Sequence, residues 1–328
     1  MNKARGYSLF SGGLDSMLAV AVLRRQGCDV HPLVFISPFF DGTSARRAAR
    51  HLGLDLKEVD FTQDILELVA NPPHGFGGGM NPCIDCHARM IRRAGELMRA
   101  DGLDFVSTGE VVNQRPMSQT PHSLATVAHD SGLEGRLLRP LSAKLLEPTI
   151  PEQEGLIDRE QLYDFHGRTR KPQMALAAEL GITEYPAPAG GCLLTEKGYC
   201  RKLSDLKEHG GLVDLDHIRL LKVGRHFRLP DGTKAIVGRN RMDNQSLKAA
   251  AKPSDTLLWT VNVPGPTAYV PGGLKSLPDL NLLGGICAGY GDHRGRKAIL
   301  IHLQTPQGAC DKEFAPLAIE QIQHHLIA

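Results

Sequence analysis

The sequence predicts an α/β fold, a doubly wound parallel sheet followed by a smaller β-rich α+β domain, and three observations predict it. Short apolar runs alternate with helical stretches through the first half of the chain, the pattern of βαβ units. A glycine-bearing turn, Ser11-Gly12-Gly13-Leu14-Asp15-Ser16, separates the first apolar run from the first helix. After about residue 210 the pattern changes to short β-like runs parted by turn residues.

Residues 7–10 form the first apolar run and 16–26 a helix with Met17, Leu18, Val20, Ala21 and Leu23 apolar. Residues 29–37 read as a second buried strand. Residues 43–53 read as a helix opened by Thr43 or Ser44 and closed by Gly53. Strands follow at 54–61 and 103–108. The Gly- and Pro-rich stretch 71–82 reads as a mobile loop, and 159–181 as helical with a break at Pro172. Later β-like runs fall at 218–223, 225–229, 234–238, 257–263 and 297–303, with Asp231-Gly232 as a hairpin turn. A domain boundary is expected within 206–216, giving domains 1–210 and 211–328.

The chain has 328 residues, 41% hydrophobic and 23% charged, an ordinary globular composition with room for two domains. A formal net charge of +2 excludes a polycation, so any nucleic-acid site is a local patch. Aromatic residues at 5% argue against an extended base-stacking platform. No apolar stretch is long enough to span a membrane, and Met1–Gly6 lacks the features of a signal peptide. The expectation is a cytoplasmic protein whose seven cysteines are thiols, metal ligands or catalysts rather than disulfides.

Ser11 to Ser16 has the make-up of a phosphate-binding turn. Glycines let backbone N–H groups approach an anion, the serines add hydroxyls, and the following helix directs its positive end at the site. Asp15 is suited to partner Mg²⁺ or to orient the turn. The hexapeptide after a first strand resembles the fingerprint of the PP-loop ATP pyrophosphatases, a Rossmann-like family. That resemblance implies cleavage of ATP between the α and β phosphates, with AMP passed to an oxygen that a nucleophile then displaces. It implies nucleotide contacts at Ser11, Gly12, Gly13, Leu14, Asp15 and Ser16, and adenine packing near Phe35 and Ser37. It also implies a second nucleotide loop at Ser107-Thr108-Gly109-Glu110, with Gly109 in contact.

Asn81-Pro82-Cys83-Ile84-Asp85-Cys86 reads as a helix start, Asn81 as cap and Pro82 as first residue. Cys83 and Cys86 then share one side of the first turn, where the helix end favours thiolates. Cys192 follows two glycines in Pro188-Ala189-Gly190-Gly191, which should expose it. A Cys-x-x-Cys pair alone fits half a zinc site, with His87 or Cys200 completing it, or a redox pair, or chance. Three thiolates with an open position fit an iron–sulfur cluster.

Asn-Pro-Cys-x-x-Cys with a distant Gly-Gly-Cys resembles the tRNA 2-thiouridine synthases over roughly residues 6–205. The resemblance implies that Cys86 and Cys192 are the working pair, and that Cys83 is the extra ligand of cluster-dependent thiolases. The favoured expectation is a [4Fe–4S] cluster on Cys83, Cys86 and Cys192, ahead of a persulfide relay or zinc. Cys28, Cys200, Cys287 and Cys310 are read as bland.

Asn113–Gln119 is polar, balanced between a substrate contact and a solvated loop. Arg168, Arg170 and Lys171 form a basic cluster suited to tRNA phosphates. The stretch from Gly238-Arg239-Asn240 through Trp259 to Pro264-Gly265-Pro266 resembles the RNA-associated NFACT-R domain, with Arg239 an expected RNA contact and Trp259 a core anchor.

The expected reaction is ATP-dependent tRNA thiolation. A uridine carbonyl oxygen attacks the α-phosphate, and sulfide or a sulfur carrier fed by a cysteine desulfurase replaces the AMP. Rival readings are an amidating or nitrile-forming enzyme with structural zinc, and a non-enzymatic RNA-binding factor.

Overall fold

The computed structural model describes residues 3–187 and 192–327. The chain folds as two units, Met1–Thr195 and Glu196–Ala328.

The first unit runs β1 (Arg5–Leu9), α1 (Leu14–Arg25), β2 (Asp29–Ile36), α2 (Thr43–His51), β3 (Lys57–Asp60), α3 (Thr62–Ala70), α4 (Cys83–Ala100), β4 (Phe105–Ser107), α5 (Pro121–Ser131), β5 (Leu137–Leu138), α6 (Ile150–Gln153) and α7 (Lys171–Glu179). Its five strands stand in the order β3-β2-β1-β4-β5, every pair parallel. The chain winds outward from β1 through β2 to β3, then crosses back to β4 and β5. The order reverses between β1 and β4, and ligands of such sheets bind beyond the strand ends at that switch.

Helix α1 forms because Leu14, Met17, Leu18 and Val22 recur on one face and bury against Phe10, Val30, Val34 and Phe105. Asp15 in its first turn and Arg24 and Arg25 in its last complement the helix dipole.

Three local expectations are corrected here. The 159–181 stretch is not one interrupted helix. A 3₁₀ turn at Arg159–Gln161 precedes α7, and Pro172 lies in the first turn of α7, where no N–H is needed. Helix α4 begins at Cys83 with Pro82 as its cap residue, so Asn81 lies outside it. The 71–82 loop is pinned rather than loose. His74 Nδ1 pairs with Asp85 Oδ1 at 2.7 Å, and the Met80 N–H donates to the Leu194 carbonyl at 3.1 Å.

The second unit holds α8 (Lys197–Glu208), α9 (Leu215–Leu220), β6 (Arg225–Arg228), β7 (Lys234–Val237), α10 (Arg241–Ala250), β8 (Thr256–Thr260), β9 (Thr267–Val270), α11 (Leu277–Tyr290), β10 (Ile299–Thr305), β11 (Gly308–Phe314) and α12 (Ile319–Gln323). Six antiparallel strands are ordered β11-β10-β8-β9-β7-β6. One face packs Leu258, Ala268 and Ile301 against Leu283, Ile286 and Cys287 of α11. The other sets Leu257 and Tyr269 against Leu247 of α10.

Helix α11 carries Gly284, Gly285 and Gly289. A methyl group at Gly284 would strike the Phe314 ring, one at Gly285 would lie 2.8 Å from Leu317 Cγ, and one at Gly289 2.6 Å from Leu317 O.

The 1–210 domain limit gives way to a division ahead of α8. Asp205 of α8 accepts from Arg228 at 2.7 Å and from Lys234, and so joins that helix to the antiparallel sheet. The 218–223 stretch, read as β-like, overlaps α9, whose start is capped by Asp214 accepting the Asp216 and His217 N–H groups.

Candidate functional site

The Ser11–Ser16 turn leaves β1 and enters α1 with Gly13 as the cap residue. Ser16 Oγ donates to the Gly13 carbonyl at 2.8 Å, and Ser11 Oγ lies 3.4 Å from both the Gly13 nitrogen and Ser16 Oγ. Gly12 has φ +76°, and a Cβ there would fall 2.6 Å from the Ala45 nitrogen at the start of α2. A Cβ on Gly109 would lie 2.6 Å from Asp15 O and Ser16 N. The loop after β4 therefore touches the turn itself, at the switch between β1 and β4. Leu14 is buried in the core and contributes backbone to the turn.

Asp15 is held from the side. Gln114 Nε2 donates to Asp15 Oδ2 at 2.8 Å, and Gln173 Nε2 donates to Gln114 Oε1 at 3.1 Å. Asp15 Oδ1 is buried with no hydrogen-bond partner among the described residues. Burial pushes the Asp15 carboxyl above its ordinary range, opposed by the Gln114 donor and by the nearby Arg170 and Arg115 cations. Gln114 thus contacts Asp15 from the 113–119 segment, and Arg115 and Arg170 act on the Asp15 charge.

Cys83 and Cys192 lie close enough to Cys86 to act on its charge. Cys83 opens α4, Cys86 is buried one turn on, and Cys192 lies in the segment whose Leu194 carbonyl accepts from Met80. Burial pushes the Cys86 thiol well above its ordinary value, and the Cys192 and Cys83 sulfurs push it further. Burial also raises Cys83, opposed by Arg115. Arg115 therefore acts on both Asp15 and Cys83. Burial of Cys83 and Cys86 opposes the thiolate form that the helix end would favour. Among the described residues no three His, Cys, Asp or Glu side chains stand as a ready metal cage. The Pro188–Gly191 stretch expected to expose Cys192 lies outside the described residues.

A buried network, not anticipated from the sequence, joins α4 to the loop after β4. Glu110 Oε2 accepts from Arg139 Nε at 2.9 Å and from Thr108 Oγ1 at 3.0 Å, and Glu110 Oε1 pairs with His87 Nδ1 at 2.9 Å. Burial pushes the Glu110 carboxyl up, but Arg139 and His87 outweigh it and leave it lowered to about 2.

The structure places the remaining predicted residues as well. Phe35 is 5% exposed, with its ring 5.2 Å from that of Phe61, so it offers no face to an adenine. Ser37 Oγ accepts the Phe39 and Phe40 N–H groups and closes a turn. Arg168 and Lys171 are exposed. Arg239 is tied to Asp243 Oδ2 at 2.7 Å and to the Lys222 carbonyl at 3.0 Å, with its side chain 45% exposed.

A serine- and glycine-bearing turn at the switch point of a doubly wound parallel sheet, with an aspartate in its first helical turn, is the arrangement of the PP-loop nucleotide-binding domains, which the first unit resembles. Residues 2–144 match the family model described as thiamine biosynthesis protein (ThiI), and residues 224–326 that of the NFACT protein RNA binding domain. The chain is similar to the tRNA thiouridine synthases, with an NFACT-R-like domain after the PP-loop domain.

Among curated relatives, the tRNA-specific 2-thiouridylase MnmA of Roseiflexus castenholzii is 27% identical over 253 residues, covering 67% of this chain and 66% of the relative. MnmA of Agrobacterium fabrum is 26% identical over 248 residues, covering 66% of this chain. The chain spans 58% of the Agrobacterium protein's length. A solved structure of a 4-thiouridine synthetase–RNA complex with bound ATP superposes with TM-score 0.36 at 19% identity, covering 55% of this chain and 52% of that one. No helix among the described residues is long and apolar enough to cross a membrane.

Proposed function

We propose that the protein is a cytoplasmic, ATP-dependent tRNA sulfurtransferase that converts a uridine carbonyl to a thiocarbonyl. The observation that carries this reading is that Cys83 and Cys192 lie close enough to act on Cys86, while Arg115 acts on both Asp15 and Cys83. The similarity to tRNA thiouridylases supports it.

The turn at Ser11–Ser16 receives the pyrophosphate portion of ATP. Arg115 and Arg170 offset charge as the β–γ fragment leaves. The uridine oxygen bonds to the α-phosphorus as the bond to the bridging oxygen breaks. A sulfur nucleophile then adds at the same carbon, and AMP departs with the former carbonyl oxygen. The orphaned Asp15 Oδ1 fits a Mg²⁺ ion, which would screen phosphate charge.

Cys83, Cys86 and Cys192 are the thiols that would hold a [4Fe–4S] cluster, which would supply sulfide, although as they stand they form no ready cage among the described residues. The chain's own part is to hold the three sulfurs beside the turn and keep water from Cys86.

Pyrophosphate release and thiouridine formation, both dependent on tRNA, test the reading. Loss of thiouridine in Cys86→Ala and Cys192→Ala is expected, and normal thiolation by Cys192→Ala overturns the sulfur assignment. Anaerobic preparations should carry about four iron atoms per chain. Cys83→Ala separates a cluster, which needs this thiol, from a Cys86–Cys192 relay, which does not.

A further inference from the structure

Trp259 is the chain's one tryptophan, and it stands half-buried on β8 beside a cavity of about 340 Å³. Arg241, Gln245 and Lys248 of α10 line the cavity opposite Thr260 and Gly265. Arg241 and Lys248 are two helical turns apart, on the same exposed face. Neither is in an ion pair among the described residues, in contrast to Arg239, and no carboxylate is among the described lining residues.

The wall is fixed. Asn244 donates to the Gly265 carbonyl at 3.2 Å and accepts the Thr267 N–H at 2.9 Å. The indole is gripped as well. Its cross-strand partner His302 lies 4.4 Å away between ring centroids, and Lys248 Nζ sits 4.3 Å from the indole centroid.

Cations without counter-charges select an anion, and an indole beside them selects a flat π-system. A cavity of this size holds one nucleotide and no duplex. We propose that this cavity binds a single unpaired RNA nucleotide, with its phosphate on Arg241 and Lys248 and its base against Trp259. The proposal rests on the tRNA-substrate reading and gives its RNA a specific foothold. On binding, Lys248 moves its charge from the indole face to the phosphate.

The lone tryptophan reports occupancy directly. The full chain is titrated with a short single-stranded RNA, a tRNA transcript and a blunt RNA duplex while Trp259 emission is followed. Single-stranded RNA and tRNA should quench it and the duplex should not. The Arg241→Ala/Lys248→Ala variant, altered only at exposed positions, should bind about tenfold more weakly. No quenching by any RNA, equal quenching by the duplex, or unchanged affinity in the double variant overturns the assignment. Thiolation without quenching defeats this inference alone, and quenching without ATP-dependent thiolation defeats the function reading alone.

Discussion

Gln114 donates its side-chain amide to the Asp15 carboxylate at 2.8 Å, across 99 residues of chain. The contact couples the loop after β4 to the nucleotide turn, and Gln173 fixes Gln114 in turn at 3.1 Å. Because the Gln114 donor lowers the Asp15 pKa, Gln114→Ala should move the acid limb of pyrophosphate release to higher pH. Loss of a hydrogen bond to a charged group, about 1.5–3 kcal/mol, should weaken ATP use by roughly tenfold or more. A pH–rate profile with an unmoved acid limb would sink this coupling.

Gly109→Ala should separate the two loops. Its methyl group meets the backbone of Asp15 and Ser16 at 2.6 Å, and backbone does not swing aside as a side chain does. A cost of about 1–3 kcal/mol is expected, together with loss of ATP binding by calorimetry. Gly78→Ala, with nothing within 4 Å of the added carbon, serves as the control and should leave ATP affinity unchanged.

Glu110→Gln should destabilise the first unit by about 3–5 kcal/mol, because Arg139, with its side chain 6% exposed, keeps its charge and loses its partner. The folded pKa of Glu110 lies below its ordinary 4.5, at about 2. Its contribution is therefore complete above pH 4.5 and disappears as pH falls towards 2. Urea unfolding at several pH values should show this acid sensitivity in the native chain and not in the variant.

His226 in β6 gives the second unit an earlier acid limit. Burial lowers its pKa from 6.5 to about 3, assisted by Lys234 and Lys202. The unfolded chain takes up this proton below pH 6.5 and the folded chain does not, so stability is full above 6.5 and declines down to about 3. The slope from this one group approaches about 1.4 kcal/mol per pH unit within that window. His226→Gln should flatten that slope, and an identical pH dependence in the variant would refute the assignment.

The sheet, the nucleotide turn and the Cys-x-x-Cys helix start were legible because each is a local pattern: an apolar run, a glycine pair, a helical period. The Glu110–Arg139–His87 network was not, since its members stand 23 and 29 residues apart and no periodicity links them. Arg170 read as part of a basic surface run, yet folding turns its charge towards Asp15. The 218–223 stretch is apolar enough for a strand, but the Asp214 cap starts a helix that overlaps it. Strand β11, Gly-Ala-Cys-Asp-Lys-Glu-Phe, is exposed at six of seven positions and shows no alternation to read. Trp259, read as a core anchor, packs half-buried against the core cluster that holds Leu247 and Leu257, and also lines a cavity on that face.

The glycines of α11 set an order of assembly. That helix presents a nearly bare strip to Phe314 and Leu317, which follow it in the chain. Until they arrive the strip has nothing to nest against, and each glycine weakens the isolated helix by about 0.5–1 kcal/mol relative to alanine. The antiparallel unit is therefore completed from its carboxyl-terminal side, and a chain ending before Phe314 would hold α11 only through the face that meets Leu258, Ala268 and Ile301.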